Sequence, residues 1–331
     1  MTDRKKDHIE LAFQSQADSF EADHRFYYEP LLSAHKEQVD LSINFAGKKM
    51  KIPVWVSSMT GGTKEAETIN RNLAKACQEF GMGMGLGSCR LLLQDDQYLH
   101  QFDMRSIIGN DLPFYANLGI AQVEELIHKK ETGKINELIH KLKADGLFIH
   151  VNPVQEYLQP EGDRFTRPAI ETISELLESL NTNIFVKEVG QGMGPESLLS
   201  LMNLPLSGIE FGAYGGTNFA TIELLRSDPG TKEMFEPLSR IGHTAEEMVE
   251  FLNEIKKQSP GTDKQLIISG GIRSFLDGYY YISKSQFPAV YGQASAMLKY
   301  AREDYDILKR FVEHQVKGLE LAFQFLRIKD H

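Results

Sequence analysis

The sequence is poor in features that mark several protein classes. Its 331 residues include only two cysteines, Cys77 and Cys89, and their spacing fits neither a zinc ribbon nor a CxxC redox pair. No apolar run approaches the roughly 20 residues that cross a bilayer. The opening stretch, MTDRKKDHIELAF, has no apolar core of signal-peptide length. These absences predict a reduced, cytoplasmic protein without a membrane partner.

Basic charge is also in deficit. The chain has 36 Lys and Arg against 46 Asp and Glu, and its formal net charge is −10. We therefore expect no nucleic-acid partner, because such proteins present a basic face to the phosphates. A small anionic ligand is still compatible with this charge, since a few cations at one site are screened from a distant acidic surface.

Several common catalytic motifs are missing. No GxGxxG stands between a first strand and its helix, which disfavours a Rossmann dinucleotide site, and GMGMGLG (81–87) lies within and before a predicted strand. GxxxxGK[ST], HExxH and GxSxG are absent from the sequence as well. P-loop nucleotide binding, zinc peptidase chemistry and a nucleophile elbow are therefore not indicated.

Eight short apolar segments alternate with amphipathic helical patterns. Most of them are apolar along their whole length, which is typical of parallel strands covered on both faces. Eight such units predict one α/β domain, a (β/α)₈ TIM barrel, and a doubly wound open sheet is the alternative that periodicity leaves open. The predicted strands are 53–58, 82–87, 113–118, 146–151, 183–189, 208–213, 266–271 and 288–293.

Three segments lie outside the regular units. We predict that residues 1–52 form an N-terminal extension contributing to the substrate site, and that 303–327 form a closing helix. The connection after the sixth strand is unusually long, and we predict that residues 214–264 form an insertion that covers one mouth as a lid.

Polar groups or glycines follow every predicted strand. The largest group is HVNPVQEYLQPEGDR (150–164), after the fourth strand. In a barrel the carboxyl ends of the strands share one rim, so these residues predict a single site there. Gly270, Gly271 and Gly292, after the seventh and eighth strands, predict a phosphate-binding site because backbone N–H groups can approach an anion closely at glycine.

An ordered series of motifs resembles the type 2, flavin-dependent isopentenyl diphosphate isomerases. The resemblance covers nearly the whole chain, from Arg4 to about Ala296. The block after the fourth strand is its most specific part, whereas GGT and SGGIR are shared more widely among flavin barrels. The motifs are RKKDH (4–8), MTGG (59–62), GSCR (87–90), ANLG (116–119), the block 150–164, KEVGQG (187–192), YGGTNFATIE (214–223) and SGGIR (269–273).

The resemblance implies a fold, a reaction and a set of cofactors. The family is a TIM barrel that binds FMN and Mg²⁺ and interconverts isopentenyl and dimethylallyl diphosphate in isoprenoid biosynthesis. The flavin must be reduced, usually by NADPH, although the reaction has no net redox change. The family also implies a homo-oligomer, either a tetramer or an octamer.

The resemblance further implies a role for individual residues. The diphosphate substrate would contact Arg4, Lys5, Arg90, His150, Asn152 and Gln155, with His150 and Gln155 as the catalytic pair, and Glu156 would bind Mg²⁺. Arginine forks match diphosphate oxygens, and Mg²⁺ often takes one carboxylate together with phosphate oxygens. The FMN contacts would be Ser58, Met59, Thr60, Ser88, Asn117, Lys187, Thr217, Gly271 and Ala294, to which the glycine pattern adds Gly270 and Gly292.

Less specific interpretations stay open. His150 could be a core histidine, Glu156 could pair with Arg164, and a terminal Arg4 could belong to a solvated tail. The whole chain could instead be a 2-hydroxy acid oxidase-like or inosinate-dehydrogenase-like enzyme, or a non-catalytic flavin- or phosphate-binding barrel. Departures from the family pattern in GIEFGAYGGT, with Glu210 on the sixth strand, and in SFLDGYYYISKS after the seventh, affect the expected FMN contacts.

Overall fold

The computed structural model describes residues 2–58, 63–261 and 264–329. Its centre is a closed barrel of eight parallel strands. Each strand lies inside, or within one residue of, a predicted segment, so the (β/α)₈ prediction is confirmed and the open sheet is wrong. The barrel strands are β1 (Val54–Val56), β2 (Gly83–Gly85), β3 (Phe114–Gly119), β4 (Gly146–His150), β5 (Asn183–Lys187), β6 (Gly208–Glu210), β7 (Gln265–Ser269) and β8 (Ala289–Gln293).

Helices connect the strands and cover the outer face of the barrel, apart from the first helix, which precedes the barrel and is exposed. Within the described residues they are α1 (Thr2–Leu11), α2 (Lys64–Phe80), α3 (Arg105–Ile108), α4 (Ile120–His128), α5 (Gly133–Leu142), α6 (Pro153–Leu158), α7 (Ala169–Ser179), α8 (Pro195–Met202), α9 (Phe219–Arg226), α10 (Pro229–Ser239), α11 (Ala245–Gln258), α12 (Phe275–Lys284), α13 (Ser295–Ala301) and α14 (Tyr305–Phe325).

Helix α2 shows how sequence signals become a helix with a buried face. The Thr63 side chain accepts a hydrogen bond from the Ala66 N–H and so caps its first turn. Ile69, Leu73 and Cys77 recur at helical spacing and are buried, as the pattern predicts. The helix ends at Gly81, whose φ of 71° favours glycine and whose N–H bonds to the Cys77 carbonyl.

Aromatic and aliphatic side chains fill the amino end of the barrel. They point inward from six strands, and all are buried: Trp55, Tyr115, Phe148, Phe185, Ile267 and Val290. A hairpin of Ile43–Phe45 and Lys48–Met50 lies below them, and Phe45 packs on Trp55 and Phe185. This end of the barrel is therefore a closed core, and space for a ligand is left at the carboxyl end.

The remaining segments pack around the barrel or extend from it. Residues 4–24 are exposed, and Phe26–Tyr28 pairs antiparallel with Leu326–Ile328, which follows α14. In the long connection after β6, α9 packs on α6, while α11 packs between α8 and α12 as a barrel helix. A lid role for 214–264 stays a prediction. None of the helices within the described residues has the length and apolarity that a membrane crossing requires.

Candidate active site

A polar layer lies directly above the apolar filling of the barrel. Inward-facing side chains recur every second residue along a strand, so the next inward position lies two residues beyond each apolar one. Those positions are polar or glycine on all six strands that contribute to the apolar filling. On β6 the position two residues after Gly208 carries a carboxyl group. The layer consists of Ser57, Asn117, His150, Lys187, Glu210, Ser269 and Gly292.

The larger of two adjoining cavities lies over β5 to β8. It encloses about 420 Å³, a volume typical of cofactor sites. Its wall consists mainly of glycine-rich loops, and Lys187, Arg273 and Lys299 also line it. The structure brings seven of the predicted FMN contacts together here: Ser58, Lys187, Thr217, Gly270, Gly271, Gly292 and Ala294.

The smaller cavity lies over β2 to β4 and encloses about 200 Å³. It shares Ser58, Lys187, Val189 and Phe219 with the larger one, so the two are neighbours across a common wall. Two predicted FMN contacts, Ser88 and Asn117, line this smaller cavity rather than the larger. Its wall also holds most of the predicted substrate and metal residues, namely Arg90, His150, Asn152, Gln155 and Glu156.

A short hydrogen-bond chain fixes the tautomer of His150. The Asn117 Nδ2 donates to the Leu86 carbonyl at 2.9 Å, which leaves Asn117 Oδ1 to accept from His150 Nδ1 at 2.8 Å. We assign the ring proton to Nδ1 on this network, so Nε2 is unprotonated. Burial, with a smaller contribution from the Lys187 ammonium, lowers the pKa of His150 to about 3. The side chain is therefore a neutral imidazole on the cavity wall.

The residues after β4 hold one another in place. Asn152, on which α6 begins, donates through Nδ2 to Gln155 Oε1 at 2.9 Å and to Glu156 Oε1 at 3.0 Å. The second Glu156 oxygen accepts from the Asp163 N–H at 2.8 Å. Arg164 donates to the main-chain oxygens of Glu156 and Tyr157 instead of to the Glu156 carboxylate. Arg164 thus fixes the turn that brings Asp163 back to Glu156 and Arg90.

The structure tests whether this cavity could hold a divalent cation. Among the described residues, no three His, Cys, Asp or Glu side chains form a metal-binding group. Glu156 is the single carboxylate among the residues described on the wall of the smaller cavity. Arg90, on the same wall, forms an ion pair with Asp163 at 2.7 Å. One carboxylate beside an arginine suits a magnesium ion that takes its other ligands from phosphate and water.

Lys187 stands between the two cavities. Its side chain is buried, and its Nζ donates to the Glu188 carbonyl at 3.1 Å. The Glu188 carboxylate accepts from the N–H groups of Gly190, Gln191 and Gly192, at 2.7, 2.6 and 2.9 Å, and so orders the loop after β5. A buried ammonium at this position can stabilise negative charge on any group that spans the common wall.

Some functional candidates were not predicted from the sequence. Glu223 on α9 is buried, accepts from Gln155 Nε2 at 3.3 Å and pairs with Arg226 at 2.6 Å. The sequence feature that points to Glu223 is its position at the end of the motif YGGTNFATIE. Glu210 departs from the family pattern, and the alternation of side chains along β6 indicates that it points inward.

Four of the predicted residues are not placed in the cavities. Arg4 and Lys5 are exposed on α1 and line neither one. Met59 and Thr60 lie outside the described residues. All four roles therefore stay predictions, as do the individual roles of the residues that the cavities bring together.

The larger cavity fits a polar cofactor. In the described part of the chain, four of its side chains carry buried polar atoms without a hydrogen-bond partner: Ser57, Ser58, Glu210 and Gln293. Buried polar groups are normally paired, so such a group of acceptors and hydroxyls is suited to a ligand that supplies the partners. The loops after β6 and β7 also meet backbone to backbone, because a Cβ at Gly216 would lie 2.9 Å from the Gly271 nitrogen. FMN would fit these features.

The two cysteines argue against a thiol mechanism. Cys77 and Cys89 are buried and free. Burial raises the pKa of the Cys89 thiol to about 12, so this residue is not a ready nucleophile. The inosinate-dehydrogenase-like alternative, which needs a reactive cysteine loop, is therefore disfavoured.

Comparison with solved structures gives the fold. The chain is similar to the flavin-binding domain of baker's yeast flavocytochrome b2, with a TM-score of 0.62 and 14% identity over 91% of this chain and 72% of that one. A mandelate oxidase variant gives a TM-score of 0.56 and 14% identity over 92% and 88% of the two chains. At these identities the likeness supports the barrel and no activity.

Comparison with curated proteins gives the family. No protein-family model matches the chain. An isopentenyl-diphosphate delta-isomerase of Rickettsia typhi is 32% identical over 320 residues, which is 95% of this chain and 89% of the relative. The enzyme of the same name from Rickettsia prowazekii is 31% identical over the same shares of both chains. The chain therefore belongs to the isopentenyl-diphosphate delta-isomerase family.

Proposed function

We propose that this protein interconverts isopentenyl and dimethylallyl diphosphate as a type 2 isomerase, with reduced FMN and Mg²⁺. The observation that carries the proposal is the pair of adjoining cavities. One fits a flavin and the other holds an arginine, a carboxylate and neutral hydrogen-bonding groups, and both include Lys187 in their walls. This arrangement would place an alkenyl diphosphate beside a flavin ring.

The larger cavity would hold FMN. The phosphate would be bound by Gly270 and Gly271 after β7 and by Gly292 on β8, with Arg273 and Lys299 nearby. Lys187 would face the ring where negative charge develops on reduction. When bound, reduced FMN would supply an electron-rich surface for an alkene that gains one proton and loses another. NADPH is the reductant that we propose.

The smaller cavity would hold the substrate. Arg90 would bind the diphosphate, and Glu156 would hold Mg²⁺ against its oxygens. Gln155 is positioned from both sides, because its Oε1 accepts from Asn152 while its Nε2 donates to Glu223. Its amide would therefore orient the alkene or a water molecule. His150 would contribute as a neutral acceptor through Nε2.

The proposal also covers the state of the molecule in the cell. A cytoplasmic location fits a chain with two buried free cysteines. Self-association is supported by exposed apolar side chains of the N-terminal region, among them Phe13, Phe20 and Leu31. Light scattering after size-exclusion chromatography would measure the assembly, with a tetramer or octamer expected.

One assay tests the proposed reaction. The purified protein, with FMN reduced anaerobically and Mg²⁺ added, should convert isopentenyl diphosphate to its dimethylallyl isomer in NMR spectra. Reductant should not be consumed in proportion to product. Consumption of one electron pair per product would instead support an oxidoreductase, and a protein that binds flavin without turnover would support the non-catalytic alternative.

The Glu156→Gln variant tests the metal role. Because an amide oxygen binds Mg²⁺ more weakly than a carboxylate, we expect kcat/KM to fall at least about 10-fold and the Mg²⁺ requirement to rise. The visible spectrum of bound FMN should not change. The exposed Glu178→Gln is the matched control and should behave like wild type. Loss of flavin from the Glu156 variant would place this residue in a different role.

A further inference from the structure

The carboxyl group of Glu210 is buried in the wall of the larger cavity. Only 1% of this residue is exposed, and both carboxyl oxygens are without a hydrogen-bond partner among the described residues. Leaving such a group unpaired in a protein interior destabilises the fold. A carboxyl group that faces a cavity without a protein partner is suited to accept from a ligand.

The neighbours of Glu210 do not satisfy it. Lys187 is its register partner on β5, and both line the cavity. The Lys187 ammonium donates to the Glu188 carbonyl, and no ion pair joins it to Glu210 within the described residues. The cavity therefore presents a cation and an acceptor at the same depth, and each is available to a ligand.

The position of Glu210 indicates which part of a flavin it would meet. The Lys187 end of the cavity adjoins the smaller cavity, so a ring that faces the substrate belongs there. The glycines, Arg273 and Lys299 beyond β7 and β8 suit a phosphate. Strand β6 lies between β5 and β7 in the barrel. Glu210 is thus placed beside the chain that links ring and phosphate, which in FMN is the hydroxyl-bearing ribityl chain.

We propose that Glu210 is a cofactor-binding residue that accepts a hydrogen bond from a ribityl hydroxyl of FMN. This inference rests on the proposed flavin site and goes beyond it, because the family resemblance assigned Glu210 no role. The residue contributes an acceptor to the middle of the ligand, while Lys187 serves the ring and the glycine loops serve the phosphate.

Three flavins separate this contact from others. FMN, riboflavin and lumiflavin are titrated into apoprotein, with flavin fluorescence as the readout. Riboflavin lacks the phosphate and lumiflavin also lacks the ribityl chain. We expect Glu210→Ala to weaken the binding of FMN and riboflavin about 10- to 100-fold and to leave the affinity for lumiflavin unchanged. Glu210→Gln keeps an acceptor oxygen and should restore most of the affinity.

A stability measurement excludes a structural role. Glu210 lacks protein partners among the described residues, so the unfolding midpoint of flavin-free Glu210→Ala and Glu210→Gln should equal or exceed that of wild type. The matched control is Glu124→Ala, which removes a buried carboxylate that accepts from the Thr166 N–H at 2.8 Å outside the cavity. This control should be less stable than wild type, yet it should bind all three flavins with wild-type affinity.

The outcomes distinguish the two proposals. If wild type binds FMN, and Glu210→Ala binds FMN and riboflavin as tightly as wild type does, the Glu210 inference alone is wrong. If lumiflavin weakens as much as riboflavin, the contact is to the ring and the ribityl assignment is wrong. If wild-type apoprotein binds none of the flavins, the proposed function itself is overturned together with this inference.

Discussion

A hydrogen bond to Asn117 fixes the ring proton of His150 on Nδ1. The Asn117 amide is oriented by the Leu86 carbonyl and accepts from His150 Nδ1. Because burial and Lys187 hold the pKa of His150 near 3, the ring does not take a proton in the usual range of a histidine. A negatively charged diphosphate nearby would raise that pKa, so substrate binding and protonation of His150 are coupled.

The lowered pKa predicts that His150 stays neutral in the free enzyme. Imidazole ¹⁵N NMR of substrate-free protein should show the Nδ1–H tautomer of His150 unchanged from pH 8 to pH 5. The resonance is assigned by its loss in His150→Gln. The pH profile of kcat/KM, which reports the free enzyme, should have no inflection near 6.5 from this residue. A His150 titration at that pH would contradict the assignment.

The same shift has a consequence for stability. The folded pKa lies below the ordinary value of 6.5, so the unfolded chain takes up the proton first as pH falls. Between pH 7 and pH 5 the free energy of unfolding of wild type should therefore fall by roughly 1–2 kcal/mol more than that of His150→Gln. Urea unfolding at both pH values measures this difference. The exposed His314→Gln is the control and should follow wild type.

At the scale of elements, the turn after β5 is organised by Glu188. Its carboxylate gathers three backbone N–H groups, and Gly190 and Gly192 adopt positive φ angles of 137° and 69°. Gln191 in turn donates to the carbonyls of Leu238 and Ile241. This turn therefore connects the Lys187 strand to the end of α10 and the residues that follow it.

Replacing Glu188 should loosen that turn. One oxygen of Glu188 accepts all three N–H groups, so Glu188→Ala, which removes it, should lower the free energy of unfolding by about 1–3 kcal/mol. It should also weaken FMN binding, because the turn begins at Lys187. Urea denaturation and flavin titration measure the two effects, with the exposed Glu178→Ala as a control. Wild-type values for both would show that the turn is held by other contacts.

The strands were predictable because their signal is local. Strands such as β4 and β5 are buried along most of their length and are recognisable in the sequence as nearly continuous apolar runs. The position of the site followed from barrel topology, since all strand ends share one rim. The side-chain pairs within the site could not be predicted from that topology. That Arg90 would pair with Asp163, and Gln155 with Glu223, depends on contacts across 73 and 68 residues of chain, which no local pattern specifies.

The division of the site was also beyond the sequence. Ser88 and Asn117 were grouped with the other FMN contacts, yet they line the smaller cavity. A motif list orders residues along the chain, whereas strand register decides which of two neighbouring cavities a side chain enters. Glu210 illustrates the converse: alternation along β6 gives its direction, but its lack of a partner among the described residues is visible only in three dimensions.

At the scale of the whole molecule, stability and chemistry lie at opposite ends of the barrel. The hairpin that carries Phe45 closes the amino end. It is tied to the barrel by Lys48, whose Nζ pairs with Asp145 at 2.6 Å, while Arg105 pairs with the other oxygen of the same carboxylate at 2.8 Å. Above this closure lie the aromatic layer and then the polar layer of the site.

This arrangement predicts that the closure can be weakened without changing the site. Phe45 is fully buried, so Phe45→Ala should destabilise the fold by about 3–5 kcal/mol through lost burial and a cavity. FMN affinity at about 20 °C should stay within about 3-fold of wild type, because Trp55 and Phe185 separate the lost ring from the polar layer. The exposed Leu199→Ala removes an apolar side chain from the surface of α8 and should change neither quantity. Urea unfolding of the apoprotein and flavin titration are the measurements. If folded Phe45→Ala loses flavin binding, the aromatic layer transmits the change and the two ends of the barrel are coupled.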